Sequence, residues 1–261
     1  MENVGQSKSR NKEFQERFNS ELLLQYLVTA ADPVIFDVGA HHGESVVYLK
    51  KLFPNASVYS FEPDPDSFKV LSGAAIEGVS YFNFAISDTD GEASFYRNMI
   101  SHTNSLFKVN LNSSDSISIA KANAEKDAHF FDGFNQEVKV DTVRLDSFTI
   151  QHSIGQIDLL KIDVQGAESR VLIGGGETLR NTRAIVMEIS FFDYYERQTT
   201  FMDVEQILLP LGFRLFSISE VSNNPMNGRT DWAEVIYLNR NTTNEQLPFD
   251  ERRRNSSPTD I

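Results

Sequence analysis

The sequence predicts a doubly wound α/β fold whose final two strands form an antiparallel pair. Three observations carry that expectation. Short apolar runs alternate with helical patterns along most of the chain, as repeated βα units require. The strand-like runs are apolar on both faces, which suits a sheet covered by helices on both sides. The last two runs are joined by a loop holding Asn223, Asn224, Pro225 and Gly228 with no helical pattern, so they must pair antiparallel.

In order, Phe14, Phe18, Leu22, Tyr26 and Ala30 recur at every fourth position and predict an amphipathic N-terminal helix, which Pro33 ends. Val34–Val38 reads as a buried strand, Glu44–Leu52 as a helix, Ser57–Phe61 as a strand and Asp66–Ile76 as a helix. Val79–Ala85 is the third strand and Ile157–Ile162 the fourth, with a helix over Ala167–Ile173 behind it. Ala184–Ile189, a helix over Met202–Leu209, and strands at Phe213–Ile218 and Ala233–Leu238 complete the series. Between the third and fourth strands, Glu92–Tyr96 and Val138–Arg144 alternate like exposed strands. The polar stretch over residues 97–136 is an insert, a lid or a loop, with a helical pattern around Ile117–Lys126. Residues 1–31 form a polar segment plus helix, 32–240 one domain, and 241–261 a polar tail.

Composition narrows the function. The net charge of −13 resides in residues 18–240, because the two ends cancel. So acidic a domain repels phosphate backbones, and the one basic run, Arg252–Arg254, lies in the tail, so no nucleic-acid partner is expected. There are no cysteines, which removes disulfides, thiolate metal sites and a thiol nucleophile. No apolar run reaches the length of a membrane span and the polar N-terminus has no signal-peptide core, so a cytoplasmic protein is expected.

The chemistry gathers at the ends of the strands. Asp37-Val38-Gly39-Ala40-His41-His42-Gly43 follows the first strand and opens the first helix. Gly39 allows backbone angles closed to other residues, and Gly43 allows a close approach at the helix start. The glycine spacing is wrong for a pyrophosphate loop, and the leading Asp37 suits a ligand carrying positive charge. Glu62, directly after the second strand, can accept hydrogen bonds from both ribose hydroxyls of a nucleoside, or it can cap the next helix together with Asp64. Ser87 and Asp88 follow the third strand, where Asp88 can accept from an adenine amine, although Ser87–Gly91 is equally good turn chemistry. In the fourth strand Lys161 and Asp163 share a face, and opposite charges there must be paired or used. Glu168 falls in the first turn of a helix, where a cap is its natural role. Glu188 is a lone charge in an apolar strand, and His41, His42 and His102 are the titratable groups suited to neutral pH. Neither zinc spacing nor a serine-nucleophile elbow is present.

Together these residues resemble the FkbM family of S-adenosylmethionine-dependent methyltransferases. The resemblance runs from about Asp32 to Asn239, through VIFDVGAHHG, FEPDP, AISDTDG, VRLDSF and, most distinctively, IDLLKIDVQGAESRVL. It implies a Rossmann-like class I methyltransferase fold, a seven-stranded mostly parallel sheet with a reversed last strand. It implies S-adenosylmethionine as cofactor, with Asp37, Gly39, Gly43, Glu62, Ser87, Asp88 and Asp163 at its site. Asp163, Lys161 and His42 are the candidate catalytic residues. The expected reaction is methylation of a hydroxyl on a sugar, glycan or natural product, by in-line displacement without a covalent intermediate. A divalent ion held by Asp163 and Glu188 is the alternative to a metal-free site. The rival readings are a nucleotide-dependent oxidoreductase, disfavoured by the glycine spacing, and a non-catalytic nucleoside-binding relative of the fold.

Overall fold

The computed structural model describes Lys12 and residues 20–113 and 130–242. The elements run α1 (Ser20–Leu27), β1 (Val34–Val38), α2 (Glu44–Leu52), β2 (Ser57–Phe61), α3 (Pro65–Gly73), β3 (Val79–Phe82), β4 (Ala85–Ser87), β5 (Gly91–Arg97), β6 (Gln136–Arg144), α4 (Leu145–Gln151), β7 (Ile157–Ile162), α5 (Glu168–Gly174), β8 (Thr182–Ser190), α6 (Phe201–Leu208), β9 (Phe213–Asn223) and β10 (Thr230–Asn239). Seven strands form one sheet in the order β3-β2-β1-β7-β8-β10-β9. β10 alone is reversed, antiparallel to both neighbours, as expected for a hairpin without a crossover helix. Strand order reverses direction between β1 and β7, and their C-terminal ends open a crevice of the kind that binds ligands in such sheets.

Alternation along the strands sorts side chains onto two faces. Ile35, Val58, Leu159, Ala184, Val186 and Ile236 pack with α1 and α2. Phe36, Val38, Leu160, Ile162, Ile185 and Met187 pack on the other side with α4, α5 and α6. Asp37, Lys161, Glu188 and Glu234 therefore belong to the α1/α2 face, which places charges on an apolar sheet only where its strands end. Phe36, Tyr59, Phe61, Phe82 and Phe84 all contact Phe148 of α4, mostly edge to face with centroids 4.9–6.1 Å apart.

The third predicted strand is two strands. β3 ends at Phe82 in the main sheet, and Ala85–Ser87 joins a separate three-stranded sheet, β4-β6-β5, parallel to β6. Asn83 makes the break: its amide donates to the backbone carbonyls of Glu62 (2.8 Å) and Pro63 (3.1 Å). Both pieces are apolar and extended, so the pattern shows no change of sheet. The two alternating segments predicted beside the insert are β5 and β6, paired antiparallel. The patterned residues 117–126 and Phe14–Phe18 of the N-terminal helix lie outside the described residues.

Helix α5 approaches β4 so closely that a Cβ on Gly174 would sit 1.9 Å from the Ser87 carbonyl oxygen, whereas one on Gly176 would meet nothing within 4 Å. Gly174→Ala should cost about 3 kcal/mol of stability, and Gly176→Ala less than about 0.5 kcal/mol. Urea denaturation of the two variants checks this, and equal midpoints would contradict the contact.

Candidate active site

A cavity of about 270 Å³ lies at the C-terminal ends of β1, β2, β7 and β8. Gly39, His41, Glu62, Asp163, Gln165 and Glu188 supply its polar wall, and Phe84, Ile86, Phe95 and Leu106 its apolar wall. The loop after β1 is tied to the tip of β2 by Gly39 and Ala40 N–H groups, which donate to the Phe61 carbonyl at 3.0 and 3.1 Å. Gly39 has φ +85°, and a Cβ there would lie 1.9 Å from the Asp163 carbonyl oxygen, so only glycine lets the loop lie against the tip of β7. Gly43, at φ +97°, precedes α2 and does not reach the cavity.

Glu62 is 6% exposed. Its Oε2 accepts the His41 N–H (2.9 Å) and its Oε1 the Asp64 N–H (2.8 Å). Each carboxylate oxygen has a second lone pair, so the group can still accept two hydroxyl hydrogens from a ligand. Burial pushes it up to about 7, against the pull of those two backbone N–H groups. Asp64, not Glu62, caps α3, accepting from the N–H groups of Asp66 and Ser67 and pairing with Arg97.

Asp37 is fully buried behind the loop rather than on the cavity wall. Ser45 donates to its Oδ2 at 2.6 Å, and the Lys161 ammonium lies 3.3 Å from its Oδ1 and 3.6 Å from Oδ2 of Asp163. Burial opposes the charge on Lys161, and the two carboxylates more than reverse that, so its proton is held tightly. Asp163 faces the cavity, with Oδ1 accepting from the Gln165 amide at 2.7 Å. That amide's oxygen accepts from the Tyr195 hydroxyl (2.9 Å), and the Gln165 carbonyl accepts from Ser105 (2.7 Å). Gln165 holds a left-handed φ of 55° to make these contacts.

Ser87 is buried and donates to Asp88 at 3.0 Å, and neither lines the cavity. Glu168 is buried at the start of α5, accepts the Gly166 N–H, and is pushed up to about 7 by burial. Glu188 reaches the cavity, and burial, then the carboxylates of Asp163 and Glu168, push it up to about 8. His41 lines the cavity and its Nε2 pairs with Ser101 Oγ, while His42 stacks on it 3.7 Å away, exposed and off the wall.

His41, His42 and Glu44 bring metal-ligating atoms within 4.8 Å of one another. At Asp163 and Glu188, the neighbouring Lys161 ammonium already supplies positive charge. The sequence reading gave no site role to Gln165, Tyr195, Phe84 or Phe95. The left-handed turn at Gln165 and the packing of the side sheet against the main one bring these together, and local pattern shows neither.

A doubly wound seven-stranded sheet with β10 reversed, a glycine loop after β1 and a carboxylate at the tip of β2 define the class I methyltransferase fold. Residues 37–215 match the family model described as the methyltransferase FkbM domain, and the chain belongs to that family. It is 32% identical over 174 residues to the 2-O-methyltransferase NoeI of Sinorhizobium fredii, covering 66% of this chain and 69% of that protein. It is 26% identical to the 31-O-demethyl-FK506 methyltransferase FkbM of Streptomyces tacrolimicus, covering 54% of this chain and 58% of that one. Among solved structures, a TehB-like SAM-dependent methyltransferase from Corynebacterium glutamicum aligns with a TM-score of 0.43 at 10% identity, over 89% of this chain and 95% of that chain. That likeness is too low to add to the family match.

Three carboxyls with raised proton affinity set a sign for stability. Between pH 4.5 and 8 the folded chain keeps protons on Glu62, Glu168 and Glu188 that the unfolded chain has lost. Stability of the ligand-free protein should therefore fall as pH rises through that window. Melting temperatures at pH 6 and 8.5 measure it. Glu62→Gln and Glu188→Gln should each narrow the difference, and an unchanged difference in both would refute the assignment.

Proposed function

We propose that this chain is an S-adenosylmethionine-dependent O-methyltransferase acting on a hydroxyl of a sugar, glycan or natural product. The observation that carries the reading is Glu62, whose two oxygens are held by backbone N–H groups and still face the cavity. The cavity fits the cofactor on further grounds. Its loop is closed to a Cβ at Gly39, its walls are apolar beside Glu62, and its far end is carboxylate-rich around Asp163 and Glu188. When bound, S-adenosylmethionine supplies a methyl group on a cationic sulfur.

The protein's part is binding, alignment and charge. Glu62 would hold the ribose hydroxyls, with Phe84 and Ile86 beside the base. Asp163, fixed by Lys161 and the Gln165 amide, would hold the acceptor hydroxyl in line. The segment Ser101–Leu106, hooked to Gln165 and Tyr195, closes one side and keeps water out. The names of the two relatives support oxygen as the methylated atom. They also support a sugar or natural product as the acceptor class.

Calorimetry with S-adenosylmethionine, S-adenosylhomocysteine and NAD in parallel tests the cofactor. The first two should bind and NAD should not. Glu62→Ala should weaken S-adenosylhomocysteine by about 1.5–3 kcal/mol, tenfold to more than a hundredfold in Kd. Asp163→Asn should lower kcat while leaving that affinity nearly intact. A folded Asp163→Asn protein with full turnover would remove Asp163 from the chemistry. Lys161→Met is expected to destabilise the fold by about 3–5 kcal/mol, because Asp37 is left buried without its cation.

A further inference from the structure

Methyl transfer to a hydroxyl consumes one positive charge and releases one proton, so the site needs a proton acceptor whose readiness follows the charge of the cofactor. We propose that Glu188 is that acceptor, and that it gives up its proton when the cationic cofactor binds. The inference rests on the methyltransferase reading above.

Three observations of placement support it. Glu188 lines the cavity together with Asp163. Lys161 is registered opposite Val186, so Glu188, two residues on, stands on the same sheet face, one strand beside the tip of β7. Unlike Asp163, whose oxygens face the Gln165 amide and the Lys161 ammonium, the Glu188 carboxyl receives no hydrogen bond among the described residues and is open to the cavity.

The surroundings set its protonation. Asp163 and Lys161 face it from β7, Glu168 from α5 and Glu234 from β10, where Glu234 is its direct cross-strand partner. His41 and His102 line the same cavity, and burial holds His41 below its ordinary value. Around Glu188 stand three carboxyl groups and one ammonium, and Asp37 already draws on that ammonium from the other side. With a midpoint near 8, Glu188 is mostly neutral at pH 7 without ligand. A cation entering the cavity favours the carboxylate and expels the proton. The acceptor's O–H bond then breaks toward that carboxylate as its oxygen takes the methyl group. The electron pair of the broken carbon–sulfur bond stays on sulfur. The charge lost by the cofactor is matched by the proton gained at Glu188.

Calorimetric binding in buffers of different ionisation enthalpy counts the protons exchanged. At pH 7 to 8, S-adenosylmethionine should release more protons from the wild-type protein than S-adenosylhomocysteine does, and its affinity should rise more steeply with pH, by up to about tenfold per unit. Glu62, with a midpoint near 7, affects both ligands alike, so the difference between them reports on Glu188 and its neighbour Glu168, which the Glu188→Gln variant separates. Glu188→Gln should abolish the difference while still binding S-adenosylhomocysteine, which also shows that it folds. Glu234→Gln should keep the difference but move it to lower pH, because one neighbouring negative charge is gone. A difference that survives in Glu188→Gln overturns the proposal and leaves the methyltransferase reading standing. Failure of both ligands to bind the wild-type protein overturns both.

Discussion

The Lys161 ammonium, held between Asp37 and Asp163, is the interaction on which the site depends. Without it, two carboxylates would face each other near the ends of adjacent strands, one of them with no exposure at all. With it, β1 and β7 can end side by side, and the backbone of Gly39 can lie against the Asp163 carbonyl at a distance no side chain tolerates. The cavity is the space that this close joint leaves above it. The same ammonium limits how much negative charge the rim can carry. Among the described residues no second cation stands beside Glu62, Glu168 and Glu188, and each holds its proton to higher pH than an exposed glutamate.

Much of this was legible in the sequence, because the main sheet obeys local rules. β1, α2, β2 and β7 fall where apolar runs and helical spacing put them, and the antiparallel final pair follows from a loop with no helix in it. Glu62, Asp163 and Glu188 could be singled out because a carboxylate at the end of an apolar strand has few reasons to be there. Gly39 could be read from its place after a strand.

What could not be read depends on contacts between distant segments. The break at Asn83 is decided by two carbonyls of the preceding turn, and the run from Val79 to Ala85 looks the same either way. Helix α4 hides in a short segment whose Asp146 satisfies N–H groups of Glu177 and Thr178, about thirty residues on. The residues that hold Asp163 in position, Gln165 and Tyr195, come from a left-handed turn and a loop after β8. The alternating charges of the sequence also say nothing about depth. Asp37 and Asp163 carry the same group, yet one is sealed in and the other faces the cavity.

The change of sheet at Asn83 divides the labour of the cavity between two frameworks. The main sheet supplies Gly39, Glu62, Asp163 and Glu188, each locked to a neighbouring strand. Phe95, Asn104 and Leu106 stand on or beside the small β4-β6-β5 sheet, which has its own modest core of Ala85, Phe95, Leu106 and Val140. Replacing side chains on that second framework leaves the buried ion chain and the joint at Gly39 untouched. Part of the cavity's apolar wall can thus change side chains without disturbing the ion pairs that lie beneath its polar wall.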